Sequence, residues 1–278
     1  MNNTSLQIKV LYNEMGKAEK RIADWLAAHP GEIIPLSIVE LAQRCKCSEA
    51  TIVRFAKRLG FSGYQGLKIS LAQEHGTKIV NDDVTGNETC YEIYEKICND
   101  IYMSLEKTKK SLNEKQIDLA AKTILAANRI VIFGLGNSAS VATDAAHKFL
   151  RAGCGAVAYT DNHMQAIAAS QLKEGDAAIG ISHSGSSIDI VEALKIAKQN
   201  KASVICITSK GKSPVTKTAD IILQTDADET KYSILALNSR IAQLAIIDAL
   251  YTYIIMRHDT ESLKAIEATE KALLSKKY

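Results

Sequence analysis

Between Arg129 and Leu223, five short apolar runs alternate with longer stretches of helical periodicity. The runs are Ile130–Phe133, Ala156–Tyr159, Ala177–Ile181, Val204–Ile207 and Ile221–Leu223. Strands separated by helices predict a doubly wound, five-stranded parallel sheet of α/β class. Ligands of such sheets bind beyond the carboxyl ends of the strands, at the point where the strand order reverses. The residues that follow the strands are therefore the first place to look for chemistry.

The first strand end reads Gly134-Leu135-Gly136-Asn137-Ser138-Ala139-Ser140, and the third reads Ser182-His183-Ser184-Gly185-Ser186-Ser187. The fourth ends in Thr208-Ser209. Small residues let the backbone approach a ligand, and the helix N-termini that follow aim amides at an anion. Serine hydroxyls donate to phosphate oxygens without adding a counter-charge. Two such loops at one sheet edge point to a phosphate site formed by Gly136, Asn137, Ser138, Ser182, Ser184, Gly185, Ser186 and Ser187.

Two other phosphate motifs compete. Gly134, Gly136 and Ala139 satisfy the Gly-x-Gly-x-x-Ala form of the dinucleotide fingerprint, and Asp161 follows the second strand where a ribose-binding acid belongs. A dinucleotide fold does not need the second, serine-rich loop, however, and no hydride-transfer constellation accompanies it. Ser209-Lys210-Gly211-Lys212-Ser213 resembles the end of a P-loop, but Cys206 stands where its first glycine is required.

The front quarter reads differently. Lys17 to Ala28 places Ala18, Ile22, Trp25 and Leu26 on one helical face, and Pro30 closes the run. Ser37 and Glu40 have capping-box spacing ahead of a short helix burying Ile38, Leu41 and Ala42. Cys45 to Ser48 form a turn. Ser48 then caps a helix with Ile52, Phe55, Ala56 and Leu59 inward, ended by Gly60. This is a helix-turn-helix pattern. Ser48, Thr51 and Arg54 fall where base edges are read, while Lys57, Arg58 and Lys68 suit phosphate contacts.

Charge agrees with that reading. The net charge is +3, and residues 1–76 hold ten Lys/Arg against seven Asp/Glu, leaving the rest of the chain balanced. Arg44 to Lys68 holds six basic residues and the single acid Glu49, a compact polycation suited to a polyanionic partner. The polar, turn-rich stretch around Asn81–Asn87 marks a linker, which gives a first domain of 1–76, a linker of 77–90 and a second domain of 91–278. A helix near Tyr91–Ser111 is expected to turn Tyr94, Ile97, Ile101 and Leu105 inward. A second one, starting at Asn113, should bury Ile117, Ala120, Ile124 and Leu125. Ile241 to Met256 is apolar but broken by Gln243 and Asp248, the pattern of a packed helix and not of a membrane span. Asp259 to Tyr278 alternates charge with Leu263, Ile266 and Leu273 and is expected to be a helix that packs against a dimer partner or frays. With 46% apolar residues and no export-signal pattern, a soluble cytoplasmic protein is expected. The six cysteines lack zinc-ligand spacing, so neither a metal site nor disulfides are expected.

Residues 37–71, with Ser48-Glu49-Ala50-Thr51-Ile52-Val53-Arg54-Phe55-Ala56-Lys57-Arg58-Leu59-Gly60-Phe61, resemble the N-terminal domain of RpiR-family (MurR/RpiR) bacterial transcription regulators. Residues 129 to about 256 resemble the SIS (sugar isomerase) domain of that family, on the two loops above and on Asn238-Ser239-Arg240-Ile241-Ala242-Gln243. The resemblance implies a regulator, repressor more than activator, that binds a double-stranded operator and responds to a phosphorylated sugar or amino sugar. It implies that Ser138, Ser182, Ser184 and Ser187 hold the phosphate, that the chain forms a homodimer or a tetramer made of two dimers, and that no cofactor is required.

The competing expectation is an aldose–ketose isomerase with a DNA-binding arm. Such chemistry needs a base beside the carbonyl and an acid for ring opening. His163, after the second strand, and Glu229, before the last long helix, are the candidates for sugar contact; Glu229 falls near a catalytic glutamate of some SIS isomerases. His183 is expected to face solvent. A lone His or Glu is a weak sign of catalysis, so sensing without catalytic residues is the expected role.

Overall fold

The computed structural model describes residues 4–29, 31–33, 36, 38–74, 88–209, 211–227 and 237–276. These residues form two compact units that part between Cys98 and Asn99. Ser37 of the expected capping box, most of the expected linker and Glu229 lie outside the described residues.

The first unit is all-helical: α1 (Thr4–Leu11), α2 (Lys17–Ala28), α3 (Ile38–Arg44), α4 (Glu49–Arg58) and α5 (Tyr64–Glu74). Its core gathers Ile22, Leu41, Ile52, Phe55 and Leu67, each fully buried. The expected inward faces of α2, α3 and α4 are the faces that pack there. Burying those five large apolar side chains contributes about 1.5–3 kcal/mol each before conformational entropy is charged.

α6 (Cys90–Ser111) runs across the point where the units part, and α7 (Glu114–Ala126) follows it. The second unit's sheet comprises β1 (Ile130–Gly134), β2 (Ala156–Tyr159), β3 (Ala177–Ile181), β4 (Ser203–Thr208) and β5 (Ile221–Gln224). Between the strands lie α8 (Asn137–Arg151), α9 (Asn162–Ser170), α10 (Ile188–Gln199) and α11 (Pro214–Thr218), and α12 (Leu237–Leu273) follows the last. All strands are parallel, in the order β2-β1-β3-β4-β5.

Alternation along each strand divides the core in two. Ile130, Ile132, Ile179, Ile205 and Leu223 pack with α7, α8 and α12, while Val131, Phe133, Ala178, Val204 and Cys206 pack with α9, α10 and α11. Both faces are covered, which is why the strands read as unbroken apolar runs in sequence.

One expectation fails in part. Tyr94 of α6 is 61% exposed, whereas Ile97, Ile101 and Leu105 are half-buried on the face that also carries the buried Ser104 and Thr108. On that face the Thr108 hydroxyl accepts the Asp226 amide at 3.0 Å, just beyond β5. The C-terminal segment is helical as expected, and it is the continuation of α12, which runs on to Leu273. Its second half is anchored where buried Ser262 donates to the Ala152 carbonyl at 3.0 Å and Glu270 pairs with Arg151 at 2.9 Å. By length and composition, Asn238–Arg257 of α12 could cross a membrane; instead Ala242, Ile246, Ile247, Leu250 and Ile254 join the core beside α7 and α8.

Candidate functional site

In the first unit, α3 and α4 are joined by the expected turn. Lys46 takes a left-handed φ of 50°, and Arg21 of α2 braces the turn by donating to the carbonyls of Cys45 (3.1 Å) and Lys46 (2.8 Å). Sequence reasoning missed Arg21, since nothing in its spacing marks it. Cys45 is buried beneath the turn, and that burial pushes its thiol up to about 11. It therefore stays protonated at neutral pH and packs as a small hydrophobe.

Ser48 caps α4, its Oγ accepting the Thr51 amide at 3.3 Å. The same hydroxyl lies 2.8 Å from Thr51 Oγ1, which in turn accepts from the Arg54 guanidinium at 3.4 Å. Three residues at i, i+3 and i+6 thus form one hydrogen-bonded row along the outer side of α4. Lys57 is exposed at the edge of that side.

Arg58 and Lys68 are used differently. Arg58 pairs with Glu19 at 3.0 Å and Glu14 at 3.5 Å, and donates to the Glu14 carbonyl at 3.0 Å. It fastens the end of α4 to the α2 region. Lys68 donates to the Leu36 carbonyl at 2.9 Å and lies 5.5 Å from the Tyr64 ring centroid.

In the second unit, the strand order reverses between β1 and β3: the chain leaves β1 outward to β2 and returns to β3 on the other side. The two serine loops leave these neighbouring strands for opposite faces, which opens a crevice between them. β1 passes into α8 by a close approach, since a Cβ on Gly134 would lie 2.4 Å from the Ser138 carbonyl oxygen. Gly136, the residue before α8, offers no side-chain cap, and Ser138 sits half-buried in the first turn. Beneath this loop, buried Gln165 of α9 donates to the carbonyls of Gly134 (3.3 Å) and Tyr159 (2.8 Å), tying the ends of β1 and β2 together. Gln165 also escaped the sequence reading.

On the β3 side, Ser182 is buried and continues the ladder by donating its amide to Ile207 O at 3.0 Å. Ser184 Oγ accepts from the Ser186 amide (3.3 Å) and hydroxyl (3.0 Å), so the loop organises itself. Ser187 stands at the N-cap of α10 and makes no side-chain capping bond. The N-terminal turns of α8 and α10 are thus both without a side-chain cap, and each is flanked by hydroxyls.

Gly185 is set by its surroundings. Its φ is +63°, and a Cβ there would fall 2.2 Å from Ser213 Oγ and 2.9 Å from Thr208 Oγ1. His183 does not face solvent as expected: it is half-buried, and its carbonyl accepts from Ser209 Oγ (2.8 Å) and Thr208 Oγ1 (3.2 Å). His163 is exposed in the first turn of α9. Asp161, the residue a dinucleotide reading would assign to a ribose, caps α9 by accepting the Met164 amide at 2.9 Å.

A helix-turn-helix unit and a doubly wound sheet with hydroxyl-rich loops at its strand reversal define a class of DNA-binding regulators. Residues 2–78 match the helix-turn-helix domain of the rpiR family, and residues 123–253 match the SIS domain. The chain is 34% identical to an uncharacterized HTH-type transcriptional regulator of Caldanaerobacter subterraneus, over 100% of this chain and 99% of that one. It is also 34% identical to the HTH-type transcriptional regulator HexR of Pseudomonas aeruginosa, over 100% of this chain and 98% of the relative. Among solved structures, Vibrio vulnificus NanR complexed with ManNAc-6P shares the fold at a TM-score of 0.82 and 22% identity, covering 99% of each chain. The chain belongs to the RpiR family of helix-turn-helix transcriptional regulators that carry a SIS domain, and is a DNA-binding regulator.

Proposed function

We propose that this regulator binds a phosphorylated sugar or amino sugar in the crevice between β1 and β3, and that occupancy changes its affinity for operator DNA. The observation that carries the reading is the pair of α8 and α10 N-termini, both without a side-chain cap, at the point of strand reversal. The partial positive charge of these two helix N-termini suits a phosphate. Ser138, Ser182, Ser184 and Ser187 supply hydroxyls, Gly136 and Gly185 keep the approach open, and Asn137 and Ser186 line it. His163 and Glu229 are assigned to the sugar hydroxyls. The ligand bound to Vibrio vulnificus NanR is of this chemical class.

On the DNA side, Ser48, Thr51 and Arg54 read base edges, and Lys57 contacts phosphate. Arg58 and Lys68, both engaged within the first unit, keep a backbone-contact role through the charge they add to that face. Residues 1–76 are the DNA-reading domain, 77–90 the linker and 91–278 the effector domain of a cytoplasmic homodimer that represses genes of sugar metabolism. The role is sensing without turnover: the two loops present hydroxyls and amides, which bind a phosphate but do not abstract a carbon-bound proton.

The test is a thermal-shift screen of the intact chain against sugar phosphates, their unphosphorylated parents and NAD. A ligand at a hundredfold excess over its dissociation constant stabilises by about 2.7 kcal/mol. Stabilisation by a sugar phosphate, absent with its parent sugar and lost in Ser184→Ala, is the expected result. Stabilisation by NAD instead would contradict it, and conversion of the bound sugar phosphate to an isomer would overturn the sensing role.

A further inference from the structure

A chain of hydrogen bonds leaves the serine loop after β3 and ends on α6. It starts at Gly185, where a Cβ would fall 2.9 Å from Thr208 Oγ1, so the turn of the loop rests directly on that side chain. The same hydroxyl donates to the His183 carbonyl at 3.2 Å and so holds the loop on the other side of Ser184. The Thr208 carbonyl accepts the Thr225 amide at 2.9 Å. One residue further on, the Asp226 amide donates to Thr108 Oγ1 at 3.0 Å. The end of β4, the segment just past β5 and the last turn of α6 are thereby joined in series to the loop that carries Ser184.

Both ends of this series suit a moving part. The buried residues of α6 are Ser104 and Thr108, at i and i+4, and its apolar neighbours Ile97, Ile101 and Leu105 are only half-buried. Its hold on the second unit is therefore polar and thinly packed. Residues 90–98 of this one helix belong to the first unit and residues 99–111 to the second. Twenty-two residues of α-helix make a rod of about 33 Å, so a shift at Thr108 is carried into the first unit's own residues. Thr225 supplies a bias: it is fully buried, and its hydroxyl makes no hydrogen bond among the described residues. An unpaired buried hydroxyl disfavours the arrangement that holds it, which narrows the gap to a second arrangement of the same segment. Coupling between separated sites needs such a two-state element.

We propose that occupancy of the serine loop is relayed to α6 through Thr208, Thr225-Asp226 and Thr108, a regulation that rests on the effector site proposed between β1 and β3. Thr108 is the positioning residue of this relay. It is assigned no contact with effector or DNA, and it acts by fixing α6 to the segment that follows β5.

The test uses the full chain, a duplex that it selects from a random pool, and whichever hexose, hexosamine or pentose monophosphate raises its melting temperature most. In the unaltered chain, saturation with that sugar phosphate should change duplex affinity by about 5–150-fold. Thr108→Val keeps the branched shape and removes the acceptor. In it the change should fall to about two-fold or less, while calorimetry still records binding of the sugar phosphate; Thr108→Ser, which keeps the hydroxyl, should restore the full change. A full change in Thr108→Val overturns the relay and leaves the effector site standing, whereas no change in the unaltered chain overturns both. Hydrogen exchange on the unaltered chain needs no variant. The sugar phosphate should alter exchange at residues 225–227 and 99–111 together; a change confined to the serine loops, with α6 unaffected, overturns the relay.

Discussion

At the scale of single residues, the two arginines of α4 separate reading DNA from holding the unit together. Arg54 is exposed and touches only the hydroxyl row, whereas Arg58 bridges to Glu14 and Glu19. Arg54→Ala should therefore weaken operator binding by about 1–3 kcal/mol and relax specificity at the base it reads. It should leave the melting temperature unchanged. Arg58→Ala should destabilise the first unit by about 0.5–1 kcal/mol, the worth of a partly exposed ion-pair pair; calorimetric melting distinguishes the two. Gly185 makes the sharpest prediction in the second unit. Alanine there meets both a left-handed φ, costing about 1–2 kcal/mol, and Ser213 Oγ at 2.2 Å from the new Cβ. Gly185→Ala should lower the unfolding free energy by about 2–4 kcal/mol, overpacking adding to the backbone term, and should abolish effector binding measured calorimetrically.

At the scale of elements, Ser48 is both the cap of α4 and the first member of its outer row. Ser48→Ala should cost about 1 kcal/mol of stability and weaken DNA binding, whereas Ser48→Asp should restore the cap without restoring the neutral hydroxyl. Comparing melting temperature with DNA affinity across the two variants separates the roles. The sheet was legible because strands covered on both faces must be apolar throughout, and all five fall within a residue or so of their expected bounds. α4 was legible for a related reason: its cap, its apolar face of Ile52, Phe55 and Ala56 and its basic outer side all agree. α1 was not, because Leu6 and Val10 point to solvent and leave Ile8 as its main apolar anchor. α5 carried a readable signal in Tyr64, Leu67 and Leu71, at i, i+3 and i+7, all buried. In α6 the apolar pattern found the right face at Ile97, Ile101 and Leu105 and failed at Tyr94; the buried Ser104 and Thr108 on that face are polar, and Thr108 is held by a loop distant in sequence. The serine loops announced their chemistry by composition. The side chains that shape the site, Gln165 beneath the β1 loop and Ser213 under Gly185, came together only through the fold.

At the scale of the whole molecule, the proposed binding of DNA and of effector are linked equilibria. If operator and sugar phosphate favour different states of the chain, each must change the affinity for the other by the same factor, with a coupling of about 1–3 kcal/mol. Removing one phosphate-binding hydroxyl, as in Ser184→Ala, should weaken the sugar phosphate by about 1.5–3 kcal/mol, the worth of a hydrogen bond to a charged group. Operator affinity without effector should remain that of the unaltered chain. The most direct measurement is therefore operator affinity, by fluorescence anisotropy on a selected duplex, with and without a saturating sugar phosphate identified by thermal shift. A change of about 5–150-fold, absent with the parent sugar and requiring more ligand in Ser184→Ala, is the predicted result. Equal operator affinity in the free and sugar-phosphate-saturated chain would contradict the account.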